Sequence, residues 1–326
     1  MSLWSRVLLR ITVLAVLAMP VVAEAQQQVA RMWRVGVLAN EPWSPLAGLR
    51  EGLRQLGYTE GQNLDFEHRW FEGRAERLPA LAADLVRLRV DVIVTVAVPA
   101  ALAAKQATAT IPIVMGLAGD PVGVGLVSSI ARPGGNITGV SVLAAELEPK
   151  RLELLKELLP KLSRVAVLWN PKNPYGAIAT KHARSGAEKL GLRLDLVGVG
   201  AADEFDRGFA SLTQLRPEAM VVIADQFLLG HRTRIADYVV RNRLPSAYTY
   251  REHVEAGGLL SYSTNYYDSF RRAATFVDKI FKGAKPADLP VEQADRFELV
   301  INVKAVKALG VTIPPSLLLR IDHIIE

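Results

Sequence analysis

The sequence predicts an α/β protein built from two Rossmann-like, doubly wound parallel-sheet lobes joined by a hinge. Short β-branched runs alternate with longer amphipathic runs along the chain, which is the signature of repeated βα units. Strings from the first half recur in the second half in the same order. The 326 residues, half of them hydrophobic and 22% charged, are enough for two domains and exclude a disordered or fibrous chain.

In chain order, the first feature is an address. Arg6 and Arg10 precede the apolar run from Ile11 to Ala18, and Ala23-Glu24-Ala25 stands before three glutamines. A basic start, a short apolar stretch and an A-x-A site predict a cleavable secretory signal over residues 1–25, too short to span a membrane. Its loss removes two arginines and one glutamate, so the net charge falls from +6 to +5.

Strands are then predicted at 34–39, 64–69, 92–96, 113–117 and 137–140, where Val, Ile and Leu cluster in runs of strand length. Helices are predicted between them at 46–56, 78–88 and 99–107, where apolar residues recur at helical spacing. The most apolar stretch of the mature chain, Val90 to Ala104, contains Asp91, Thr95 and Pro99, so it reads as a buried strand followed by a helix. A second series follows, with strands at 165–169, 193–197, 219–224, 246–248 and 259–262 and helices at 150–159, 175–190, 204–215 and 232–241. A helix at 270–281, a strand at 297–301 and a helix at 303–309 complete the pattern.

The two series match. Arg34-Val35-Gly36-Val37-Leu38-Ala39-Asn40 recurs as Arg164-Val165-Ala166-Val167-Leu168-Trp169-Asn170, with five identities in seven positions. Leu56-Gly57 recurs as Leu190-Gly191, each glycine suited to a left-handed helix end. Pro112 recurs as Pro245, and Gly134-Gly135 as Gly257-Gly258. The predicted lobes are 26–143 plus 264–290 and 144–263 plus 291–326, the later segments crossing back to complete each lobe.

In open α/β sheets ligands bind beyond the carboxyl ends of the strands, so two facing lobes place their strand-end loops around one cleft. In the first lobe these loops offer Asn40, Trp43 and Ser44, then Ala97 and Pro99, then Asp120. In the second they offer Asn170, Asp225, Tyr248, Tyr250 and Ser263. Helix starts after Ser44 and Pro99 suit a carboxylate, Asp120 or Asp225 an ammonium, and Trp43, Trp169 or Tyr248 an apolar or aromatic body. Simpler roles compete: Asn40 and Asn170 as helix caps, and Asp120-Pro121 as a turn.

Other chemistries find no support. With no cysteine there is no disulfide, thiol nucleophile, sulfur metal site or lipid-anchoring cysteine, and the five histidines lack metal-ligand spacing. No nucleophile elbow or phosphate loop occurs. We therefore expect no catalytic residues, no metal and no cofactor. Basic residues are spread along the chain and nearly matched by acidic ones, so no nucleic-acid partner is expected.

Five strings add a family resemblance: Asp120-Pro121-Val122-Gly123-Val124-Gly125-Leu126-Val127, Arg132-Pro133-Gly134-Gly135-Asn136-Ile137-Thr138-Gly139-Val140, Lys150 through Pro160, Gly257-Gly258-Leu259-Leu260-Ser261-Tyr262, and Gly283 through Pro290. Together they resemble the ABC-transporter substrate-binding proteins related to tryptophan and tyrosine binders. The resemblance implies a type I periplasmic-binding-protein fold, a ligand held between the lobes and inner-membrane ABC permease subunits as partners. It leaves the ligand open, for which the expectation is a small organic molecule, an amino acid, aromatic by preference, or similar. The family's Gly-Thr-Pro ahead of the third helix is Ala97-Val98-Pro99 here, which leaves only backbone donors at that point. The expectation is a monomeric, non-enzymatic protein free in the periplasm. The alternative is an exported module that presents its ligand to a signalling receptor.

Overall fold

Two sheets organise the chain, and their strand orders repeat one another. The computed structural model describes residues 31–142 and 145–326, so the signal predicted over 1–25 lies outside the described residues. The first sheet contains β1 (Trp33–Ala39), β2 (Leu64–Trp70), β3 (Val92–Val96), β4 (Ile113–Gly119) and β5 (Ile137–Val142). Helices α1 (Ala47–Gln55), α2 (Leu78–Arg87) and α3 (Ala97–Ala107) connect its strands. After α4 (Leu147–Leu158) the second series begins with β6 (Arg164–Trp169), α5 (Pro174–Leu190), β7 (Arg193–Gly198), α6 (Phe205–Leu215) and β8 (Ala219–Val222). It continues through α7 (Gln226–Gly230), α8 (Arg232–Arg241), β9 (Ser246–Tyr248), α9 (Arg251–Glu255) and β10 (Leu260–Thr264).

The sheet orders are 2-1-3-4-5 in the first lobe and 7-6-8-9-10 in the second, all parallel within these sets. The two matching strings of the sequence are thus β1 and β6, each beside the strand that follows it and each buried on both faces. Parallel strands covered on both sides need near-continuous apolar runs, which is what these strings supply.

Helix α10 (Tyr266–Phe281) leaves the second sheet and packs against α1 and β4 of the first. The close approach depends on Gly48 and Gly52: a Cβ at Gly48 would run into the Tyr267 carbonyl, and one at Gly52 would meet Ala274 Cβ at 2.7 Å. The chain then adds β11 (Glu292–Gln293) beside β5, crosses again, and ends with β12 (Phe297–Asn302), α11 (Val303–Leu309), α12 (Pro315–Leu318) and β13 (His323–Ile325) on the second sheet. β12 runs antiparallel to β10. At the first crossing, Glu148 and Arg151 form a fully buried ion pair at 2.6 Å, and Arg151 Nε donates to the Tyr262 carbonyl at 3.0 Å. That contact ties one crossing to the strand that leads into the next.

The second sheet has an apolar cluster on each face, whereas the first lobe's core continues into Tyr175, Ile223, Ala224 and Tyr250 of the second lobe. The lobes therefore meet through apolar side chains as well as through the crossings.

Candidate ligand-binding cleft

The strand-end loops of both sheets enclose a cleft of about 350 Å³. Small-ligand clefts commonly measure about 300–1,000 Å³. On the first-lobe side it is bordered by Phe71 to Glu76, which follow β2, and by Ala97 and Pro99 at the start of α3. On the second-lobe side it is bordered by Asn170, Lys172 and Asn173 after β6, Gly200 to Ala202 after β7, and Asp225 to Phe227 after β8.

The start of α3 is built to accept negative charge. The helix begins at Ala97, two residues before the predicted Pro99, and no side chain caps it. The amides of Ala97 and Val98 have no acceptor within the helix, and the helix dipole adds partial positive charge there. Ala97 holds φ at +68°, next to a register shift between Thr95 and Val96 in the pairing of β3 with β4. This left-handed backbone turns the strand sharply into the helix beside the cleft. Lys172 borders the same cleft and has no ion-pair partner among the described residues.

Asp225 borders the same cleft from the second lobe. It is 4% exposed, and its Oδ1 accepts from the Leu228 amide at 3.0 Å, which caps α7. Its Oδ2 accepts from Asn170 Nδ2 at 3.2 Å and from Asn173 Nδ2 at 2.9 Å. Burial pushes the carboxyl above the ordinary aspartate range, while the Leu228 amide and the two asparagines pull it back. Asn170 thus orients Asp225 and accepts from the Lys172 amide at 2.9 Å, and the cap of α5 is Asn173, whose Oδ1 accepts from the Tyr175 amide.

Asn40 does not cap a helix either. Its Oδ1 accepts from the Gly73 amide at 2.5 Å, and its Nδ2 donates to the Gln226 carbonyl of the other lobe at 3.1 Å. It is 3% exposed, so this clasp forms in a dry setting. Glu41 and Arg232 add a half-exposed ion pair at 3.4 Å across the same junction.

Other predicted residues fall outside the cleft. Trp43 is buried against Tyr250, Tyr266 and Phe270, with ring centroids 5.3 to 5.9 Å away, and its Nε1 donates to Glu252 Oε1 at 2.6 Å. A Pro-flanked polar loop does not advertise a core tryptophan, yet the Trp43 ring is buried among Tyr250, Tyr266 and Phe270. Tyr248 is fully buried in the second lobe and stacks on His253 at 4.7 Å. Asp120 accepts from the Gly123 amide at 2.9 Å and borders a separate cavity of about 170 Å³, so the turn role prevails in the geometry. Ser44 and Ser263 border a third cavity on the flank of the lobe junction. Tyr250 lies deeper between the lobes with Tyr175 and Tyr266, around a void of about 20 Å³ adjoining Ala97 and Asn173. The Tyr175 hydroxyl there is buried without a partner.

The loop Phe71 to Glu76, and Tyr175 and Tyr266, were not among the predicted site residues. The loop was findable, since it follows the carboxyl end of β2. The tyrosines open helices α10 and α5 just behind their asparagine caps, where closeness to a strand end does not by itself separate a site residue from a packing one. Among the described residues no group of His, Cys, Asp or Glu is placed to hold a metal ion.

The chain matches a family model described as ABC transporter substrate binding protein over residues 43–325. It is 27% identical over 263 residues to a tyrosine-binding protein of Clostridioides difficile, covering 80% of this chain and 75% of that one. Two solved structures, each 28% identical, cover 90% of this chain and 100% of their own. One is a conserved domain protein from Vibrio cholerae with a TM-score of 0.85, and the other an ABC domain from Streptococcus pneumonia in complex with L-Trp with a TM-score of 0.84.

Proposed function

Because the chain belongs to the ABC transporter substrate-binding protein family, whose members are binding proteins, we propose that it captures an aromatic amino acid for an ABC importer. Its fold is that of the type I periplasmic binding proteins, in which two parallel-sheet lobes face one cleft. The observation that carries the reading is the pairing, across one cleft, of an uncapped helix start with a buried carboxylate.

An α-amino acid carries both complements. Its carboxylate meets the Ala97 and Val98 amides and Lys172, and its ammonium meets Asp225, held in place by Asn170 and Asn173. Phe71 and Phe227 offer the side chain an apolar wall. The names of the tyrosine-binding relative and the L-Trp complex support an aromatic side chain.

Membership of the family supports delivery to a membrane permease. No helix among the described residues is long and apolar enough to cross a membrane, so the permease would be separate subunits. The signal predicted over 1–25 supports export to a periplasm. The protein purified without refolding and then denatured should release a stoichiometric aromatic amino acid, identifiable by mass spectrometry. A stoichiometric sugar or nucleoside in its place would contradict the assignment.

A further inference from the structure

We propose a second ligand site, for a small organic cation, in the cavity of about 260 Å³ on the flank of the lobe junction. Its floor is one face of the antiparallel pair β10 and β12. Ser261 lies opposite Val300 and Ser263 opposite Glu298, and all four border the cavity. Helix α9 walls it from the second lobe, and Ser44 and Pro45 reach in from the first.

The cavity is negative. Glu252, Glu255 and Glu298 border it against the single guanidinium of Arg251, which pairs with Glu255 at 2.9 Å. Glu252 uses one oxygen to accept from Trp43, and its other oxygen is buried without a partner. Burial pushes this carboxyl above the ordinary glutamate range, a shift that a bound cation would reverse.

A second observation is independent of the charges. Thr264, the last residue of β10, is 3% exposed and borders the cavity, and its hydroxyl is buried without a partner. A buried hydroxyl or carboxylate oxygen left unpaired costs free energy that a donor in the cavity would recover. An ammonium or guanidinium supplies several donors at once. The three carboxylates are not grouped to hold a metal ion, so the cation must have a body that reaches between them. Tyr267, 41% exposed at the rim, offers that body an aromatic face.

The test is a calorimetric titration of the protein with agmatine and with tyramine. Saturable one-to-one binding of at least one amine is expected, about tenfold weaker in Glu298→Gln as a charge-assisted hydrogen bond is lost. Binding should persist in Asp225→Ala, which alters only the cleft. Glu255→Gln, on the exposed side of α9, reads the same loss if Glu298→Gln does not fold. No saturable binding of either amine, binding as tight in both glutamine variants as in the parent, or binding abolished by Asp225→Ala would each overturn the proposal.

Discussion

Asn40 shows how much a single amide can do at a lobe junction. It joins Gly73 of its own lobe to Gln226 of the other, and it can do so only when the lobes are together. Asn40→Ala removes both bonds and leaves a buried carbonyl and amide without partners, so ligand affinity should fall about tenfold or more in calorimetry. Unchanged affinity would mean that the clasp does not contribute to closure. His253 makes a pH prediction. It is 2% exposed, and burial, aided by the charge of Arg232, pushes it down to about 3. In the unfolded chain a histidine titrates near about 6.5. Between these values the unfolded chain binds a proton that the native chain does not, so stability is full above the upper value. It falls as pH drops toward the lower one, by up to about 1.4 kcal/mol per pH unit. His253→Phe keeps a ring against Tyr248 and removes that proton, so its melting temperature should vary less with pH than the parent's over that window. Equal slopes would contradict the account.

At the scale of elements, the sequence made the strands and long helices legible because buried parallel strands need β-branched runs and amphipathic helices need apolar spacing. The repeat of Arg34 to Asn40 as Arg164 to Asn170 correctly marked β1 and β6 as equivalent positions in two sheets. Elements held by tertiary contacts escaped. Helix α10 begins at Tyr266, not at Phe270, because Asn265 caps it by accepting from the Asp268 amide at 3.0 Å, and its first turn has no apolar period. β11 has two residues and exists only because β5 lies beside it. The site was legible in part for the same reason. Ala97, Pro99, Asn170 and Asp225 follow strand ends and border one cleft, whereas Trp43 and Tyr248 follow strand ends and are packed away. Whether a side chain at a strand end turns toward the cleft depends on helices that arrive from elsewhere. The strained start of α3 gives a direct check. Ala97 at φ +68° costs about 1–2 kcal/mol relative to a conformation its Cβ prefers. Ala97→Gly relieves this, so it should raise the melting temperature by about 2 °C or more. A lower melting temperature would show that the turn is not strained.

The molecule as a whole is two similar lobes that share an apolar junction, and the proposed function requires that junction to open and close. Gly119 at the end of β4 packs directly on the ring of Tyr175 in the other lobe, and a Cβ there would run into that ring. Gly119→Val should therefore hold the lobes apart without disturbing either sheet. Small-angle scattering of the variant with saturating ligand should match the unliganded parent, and a fully compacted variant would contradict a closing junction. The central claim is that an aromatic α-amino acid is held across the cleft by the start of α3 on one side and Asp225 on the other. Calorimetric titration of the parent and of Asp225→Ala with L-tryptophan and L-tyrosine tests it most directly. The account predicts one-to-one binding of at least one of them by the parent, weakened about tenfold or more by the substitution. A folded parent that binds neither, or an Asp225→Ala variant that binds as tightly as the parent, would contradict it.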